Sequence, residues 1–291
     1  MELLLDILSD AAIDTLRLVP FLFVTYLIIE AIEHRANDRT EELIKKAGVA
    51  GPLVGALVGI FPQCGFSAAA STLYAGRVIT LGTLISVYLA TSDEMLPVLL
   101  AEQADLSIIG MIMLSKLVIG MFMGFLIDAI QRFVRRERHE KMKIHHMCEH
   151  DHCGCGEEEG GILRSAISHT LQVTFFVFLI TLVIDGLIDI VGQNTLAAFL
   201  DTQPVLSVLV SATVGLIPNC AASVVITELF LEGTLSTASM MSGLLVSAGV
   251  GILVLFRANH SAKQNIGILA ILWGTGVVWG LIFMVTGITF A

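Results

Sequence analysis

Cys64 follows Pro62 and Gln63, and Cys220 follows Pro218 and Asn219. Proline interrupts a helix, a carboxamide offers both an oxygen and N–H donors, and a thiolate is a soft metal ligand. The two triplets can therefore build a ligand site from interrupted backbone. Each cysteine would precede a restarting helix, whose N-terminus carries roughly half a positive charge. Anions are favoured there, and the thiolate is the form of cysteine that binds metals. The plain alternative is that both cysteines are small buried packing residues.

Four ionisable residues fall within apolar segments: Asp93, Glu94, Lys116 and Glu228. A charge at the centre of a bilayer costs at least about 2.5–3.5 kcal/mol, so each is expected to face the interior with a partner. Asp93 and Glu228 are candidates for cation coordination or proton coupling. Glu94 and Lys116 suit coupling and charge compensation, with Lys116 neutralising an acid while the site is empty. A fixed Lys116–carboxylate pair fits equally well. The hydroxyls that crowd these segments are expected to bond back to their own or neighbouring helices.

A third set lies between residues 139 and 155. His145, His146, Cys148, His150, His152, Cys153 and Cys155 exceed the needs of one tetrahedral ion. Mixed imidazole and thiolate suit Zn²⁺, Cu(I) or a thiophilic metalloid better than Mg²⁺ or Ca²⁺. The spacing is not that of a standard zinc finger. The alternative is a polar linker that binds ions opportunistically.

The elements that position these groups are duplicated. Val58-Gly59-Ile60-Phe61-Pro62-Gln63-Cys64 returns as Val214-Gly215-Leu216-Ile217-Pro218-Asn219-Cys220, 156 residues later. The register holds through Ser67/Ser223, Ser86/Ser242, Gly120/Gly276 and Gly124/Gly280. It divides the chain into a repeat over 1–135, a linker over 136–156 and a second repeat over 157–291. Duplication in an apolar chain points to a transporter whose site lies where the repeats meet.

Only 14% of residues are charged, against about 25% in soluble proteins, and the apolar runs are long enough to cross a hydrocarbon core. This composition predicts an all-α integral membrane protein. The first half should place spans near 14–32, 79–100 and 106–130, and the second near 164–187, 234–256 and 265–288. Between Lys46 and Arg77 lie 30 residues, fewer than the roughly 40 that two full spans need. Pro62 should stop a helix near Phe61, Gly65 should permit a tight approach or a turn, and Pro218 should act likewise. The expected result is a re-entrant hairpin in each half; two short kinked spans are the alternative. Five crossings per half make the repeats inverted. Basic residues gather on one side (Arg35, Arg39, Lys45, Lys46, Arg77, 132–143), which the positive-inside rule makes cytoplasmic. Both termini are then outside and the linker inside. No removable signal peptide is expected.

These features resemble the ten-span heavy-metal or arsenic efflux permeases, a group that includes members described as manganese transporters. The resemblance rests on the Pro-Gln-Cys and Pro-Asn-Cys tips, the five-helix halves and the His/Cys-rich linker. It implies export of a toxic metal or metalloid, with Cys64 and Cys220 at the matching positions. Arsenite prefers three thiolates and finds two here. A divalent ion such as Zn²⁺ could add oxygens from Gln63, Asn219, Asp93 or Glu228, whereas manganese would use the oxygens alone. The function expected is therefore metal-ion export by alternating access, driven by an ion or proton gradient because no P-loop is present. An intramembrane thiol redox enzyme and an importer or channel for another solute are the rivals. The protein is not expected to be an enzyme or to need a cofactor. Its partners should be the metal ion and the lipid of the cell (inner) membrane, with no nucleic acid. The oligomeric state is left open, a homodimer being one option.

Overall fold

The computed structural model describes residues 50–61, 64–92, 95–134, 161–191 and 204–290, with scattered positions between 12 and 27. Every element among these is a helix. In chain order they are α1 (Gly51–Gly59), α2 (Cys64–Ala75), α3 (Leu81–Ala90), α4 (Met95–Ala101), α5 (Leu106–Val134) and α6 (Gly161–Val191). There follow α7 (Pro204–Gly215), α8 (Cys220–Leu231), α9 (Thr237–Val246), α10 (Gly251–Ala258) and α11 (Ala262–Thr286). The linker lies outside the described residues.

Shifting the bounds of α2 and α3 by the repeat interval gives those of α8 and α9, and the starts of α4 and α5 give those of α10 and α11. The duplication reaches individual side chains. The Thr80 side chain caps α3 by accepting from the Thr83 N–H, and Ser236 caps α9 by accepting from Ser239. Ser86 Oγ donates to the Pro52 carbonyl at 2.6 Å, and Ser242 Oγ to that of Val208 at 3.0 Å. Gly124 allows close approach, because a Cβ there would lie 2.8 Å from Pro52 Cβ. At Gly280 a Cβ would lie 2.7 Å from Ser242 Cβ. Thus α1 packs on α3 and α5 as α7 packs on α9 and α11.

Across the halves the packing is exchanged. α2 lies against α10, and α8 lies against α4. Central helices α3 and α9 are buried along their whole length, while α5 and α11 expose Leu114, Val118, Phe122, Val278 and Val285. Outer helices with apolar outward faces are the pattern expected of a chain surrounded by lipid. Four stretches are long and apolar enough to cross a bilayer: Leu81–Ala101, Leu106–Phe133, Thr237–Ala258 and Ala262–Thr286. The chain is a multi-pass membrane protein.

Two expectations need correction. The segments read as continuous near 79–100 and 234–256 are each broken, between Ala90 and Met95 and between Val246 and Gly251. Thr91 leaves helical geometry at ψ 130° and Ser247 at ψ 91°, and Gly249 takes φ +53°. Neither break contains proline; Asp93 and Glu94 mark the first as polar without marking a helix end, and apolar residues flank both closely. Gly65 is not part of a turn. It is the second residue of α2 and is buried there.

Because Gly124 and Gly280 sit under close contacts, Gly124→Val and Gly280→Val should each lower stability by about 1–3 kcal/mol. Gly274→Val, where a Cβ would meet nothing within 4 Å, should be nearly neutral. Melting of the purified variants in one detergent checks this.

Candidate functional site at the helix breaks

α1 ends at Gly59, and the Ile60 N–H still reaches the Ala56 carbonyl. Helix resumes at Cys64. In the second half α7 ends at Gly215, Leu216 to Pro218 form the break, and Asn219 is extended at φ −146°, ψ 149°. Asn219 Oδ1 accepts from the Ala221 N–H at 2.8 Å, which caps α8. Each cysteine is thus the first residue of a resumed helix, as the proline-bearing triplets predict. Pro62 and Gln63 lie outside the described residues. Ser67 Oγ donates to the Cys64 carbonyl and Ser223 Oγ to that of Cys220, both at 2.8 Å. Ser71 and Thr227 repeat the pattern one turn on, to Ser67 and Ser223. These hydroxyls bond back to their own helix.

Both cysteines are half-buried and neither is in a disulfide. Cys64 packs against an apolar cluster that includes Ala68, Val177, Val250 and Leu253, so the second half supplies part of its surroundings. One turn deeper, a Cβ on Gly251 would lie 2.8 Å from Ser67 Cβ. Ser71 Oγ and Tyr88 Oη are 2.6 Å apart, and both reach the Gly251 carbonyl, at 2.7 and 3.1 Å. The helix led by Cys64 therefore docks on the break of the opposite half. α8, led by Cys220, packs on α4, which begins immediately after Asp93 and Glu94. Those two acids lie outside the described residues. α2 and α8 do not pack along one another; the central pair α3 and α9 connects them.

Lys116 is 1% exposed, and its Nζ donates to the Leu244 carbonyl at 2.7 Å, in the last turn of α9. It reaches from one half into the broken helix of the other. Glu228 departs from expectation. It is exposed on the last turn of α8, eight residues beyond Cys220 and so about 12 Å along the helix. Its position near the helix end lets it reach outward, so burial with a partner is not required of it. Sequence reading missed Asp128, which is buried. Its Oδ1 accepts from the Gly82 N–H at 2.8 Å and its Oδ2 from Thr80 Oγ1 at 2.7 Å, at the start of α3. An acid within the otherwise apolar run Phe125–Ile130 was the available signal. Arg77, Asp128, Arg132 and Gln264 line a cavity of about 470 Å³ whose lining includes neither cysteine. Among the described residues no three His, Cys, Asp or Glu side chains converge on a metal-sized site. His145, His146, Cys148, His150, His152, Cys153 and Cys155 all lie outside those residues.

The family model described as "Putative, 10TM heavy-metal exporter" matches residues 1–188, well over half the chain. The chain belongs to this ten-transmembrane heavy-metal exporter family. The match covers Pro62-Gln63-Cys64, Asp93, Glu94, Lys116 and the linker ligands, and stops short of Pro218-Asn219-Cys220. No curated protein and no solved structure matches the chain.

Because Asn219 caps α8 through its side-chain oxygen, Asn219→Ala should cost about 1 kcal/mol, while Asn219→Ser should restore most of it. A comparison of melting curves for the two variants checks this.

Proposed function

We propose that the exporter is a secondary transporter that carries a heavy-metal or metalloid ion out of the cytosol by alternating access. The observation that carries the reading is the recurrence of a broken helix with cysteine at its restart, each restart docked on the other half. In this reading residues 1–135 and 157–291 are inverted repeats. α1 with α2, and α7 with α8, are re-entrant hairpins whose tips approach from opposite faces. Arms of 9 and 12 residues reach about 14 and 18 Å, against about 30 Å of hydrocarbon, which supports hairpins over full spans.

Cys64 and Cys220 supply sulfur to the substrate, and Gln63 and Asn219 supply oxygen. Asn219 uses its oxygen as a cap in this state, so it would have to exchange that bond for the ion. Asp93 adds a carboxylate from the broken fourth crossing, with Glu94 as a coupling group beside it. Glu228, being exposed, is better placed at a mouth of the pathway than at its centre. The linker, on the cytoplasmic side with Arg77 and Arg132, collects ions and raises their concentration at the inner opening. A soft donor set favours arsenite or Zn²⁺ over Mn²⁺.

Efflux from loaded cells or uptake into inverted vesicles tests this with As(III), Zn²⁺, Mn²⁺ and Cu. Cys64→Ser and Cys220→Ser should each lower transport of the soft ion at least about tenfold, the scale on which even outer partners of metal ligands matter. If both leave transport intact while Asp93→Asn abolishes it, an oxygen site replaces the sulfur site. Deleting 139–155 should reduce transport at low metal and spare it at high metal.

A further inference from the structure

The break after α9 leaves buried carbonyls that no backbone N–H reaches among the described residues. α9 ends at Val246, and the Ser247 N–H bonds to Gly243. Beyond that, among the described residues, no backbone N–H reaches the carbonyls of Leu244, Leu245 or Val246. These three residues are at most 1% exposed. Ser247 Oγ is buried beside them with no hydrogen-bond partner. Four oxygens at the C-terminal end of a helix, where the macrodipole contributes about half a negative charge, attract a cation. Buried acceptors left bare cost free energy, so the arrangement calls for an occupant.

The equivalent break in the first half carries its hydroxyls differently. Thr91 Oγ1, the counterpart of Ser247, donates to the Val87 carbonyl at 2.7 Å, and Ser92 Oγ donates to Ala90 at 3.2 Å. In the second half Ala248 replaces Ser92 and Gly249 turns the chain at φ +53°. Among the described residues no hydroxyl donates to the Val246 carbonyl as Ser92 does to its counterpart, Ala90. Instead an ammonium arrives from the other half: Lys116 Nζ, 2.7 Å from the Leu244 carbonyl. At the counterpart of Lys116 stands Leu272, which carries no charge. The Lys116 ammonium and the unpartnered Ser247 Oγ thus set this break apart from its counterpart.

We propose that the end of α9 is a monovalent-cation site, built from the Leu244, Leu245 and Val246 carbonyls and Ser247 Oγ, and that Lys116 occupies it as a tethered cation. The ligands are neutral oxygens, which suit Na⁺ and give a divalent ion too little charge. Half-helix carbonyl ends are used in this way for coupling ions in transporters with discontinuous helices. With the lysine in place the site is filled without free Na⁺, so metal transport runs independently of Na⁺. Removing the ammonium leaves the oxygens to bind the free ion. The consequence for coupling rests on the transporter reading; the cation site itself does not.

The test is melting of the purified full chain and of Lys116→Ala in NaCl or in choline chloride of equal strength. The wild type should melt at the same temperature in both. Lys116→Ala should gain about 3 °C or more in 150 mM Na⁺, and Lys116→Ala with Ser247→Ala should lose most of that gain. A well-folded Lys116→Ala with no Na⁺ response, or a wild type that responds equally, overturns the proposal. If Lys116→Ala does not fold in either salt, Lys116→Gln is measured instead, and a flat Na⁺ response there overturns it too. In vesicles, Na⁺ should restore metal transport to Lys116→Ala at least about fivefold relative to choline. If the wild type moves no metal, the proposed function falls, while the melting comparison still decides the cation site.

Discussion

The fold is governed by one constraint: a helix broken inside hydrocarbon must have its exposed backbone groups satisfied by protein. Among the described residues the helices break before Cys64, before Met95, before Cys220 and before Gly251. Each half supplies cover for the other. α2 lies on α10 with Ser71 and Tyr88 hydrogen-bonded to Gly251, α8 lies on α4, and Lys116 reaches the end of α9. Neither half could keep its breaks in lipid alone. Under the proposed alternating access, the same interlock would hold irregular backbone between the two moving parts.

Within the duplicated frame several charged positions are not repeated. Helix bounds, caps and glycine contacts recur at the repeat interval, because close packing admits few solutions. Lys116, Asp128 and Asp93 face Leu272, Met284 and Gly249 at equivalent positions. Packing alone does not ask for those charges, since the other half manages without them. Asp128 is spent on capping α3, which leaves Lys116 and the broken fourth crossing as the features that coupling chemistry could use.

Much of this was legible in the residues. The paired proline triplets located two of the breaks and put a cysteine at each restart, because proline acts on the backbone directly. Apolar run lengths and the low charge content identified a membrane protein. The breaks after α3 and α9 were not legible: Ser247 and Gly249 are common inside membrane helices, and Asp93 and Glu94 mark the first as polar but not as a helix end. Glu228 was misread as inward, since an apolar stretch does not reveal how close a residue lies to its helix end. The pairing of each restart with the opposite half is a property of three-dimensional packing that no local pattern encodes.

The central claim, that the two sulfur-bearing restarts face one pathway, is tested most directly by a distance. With Cys148, Cys153 and Cys155 changed to serine, spin labels on Cys64 and Cys220 report their separation by pulsed electron resonance in lipid nanodiscs. The account predicts a separation well under the ~30 Å hydrocarbon thickness, and protection of both thiols from labelling by the transported metal. Labels separated by the full membrane thickness, or thiols indifferent to metal, would contradict it.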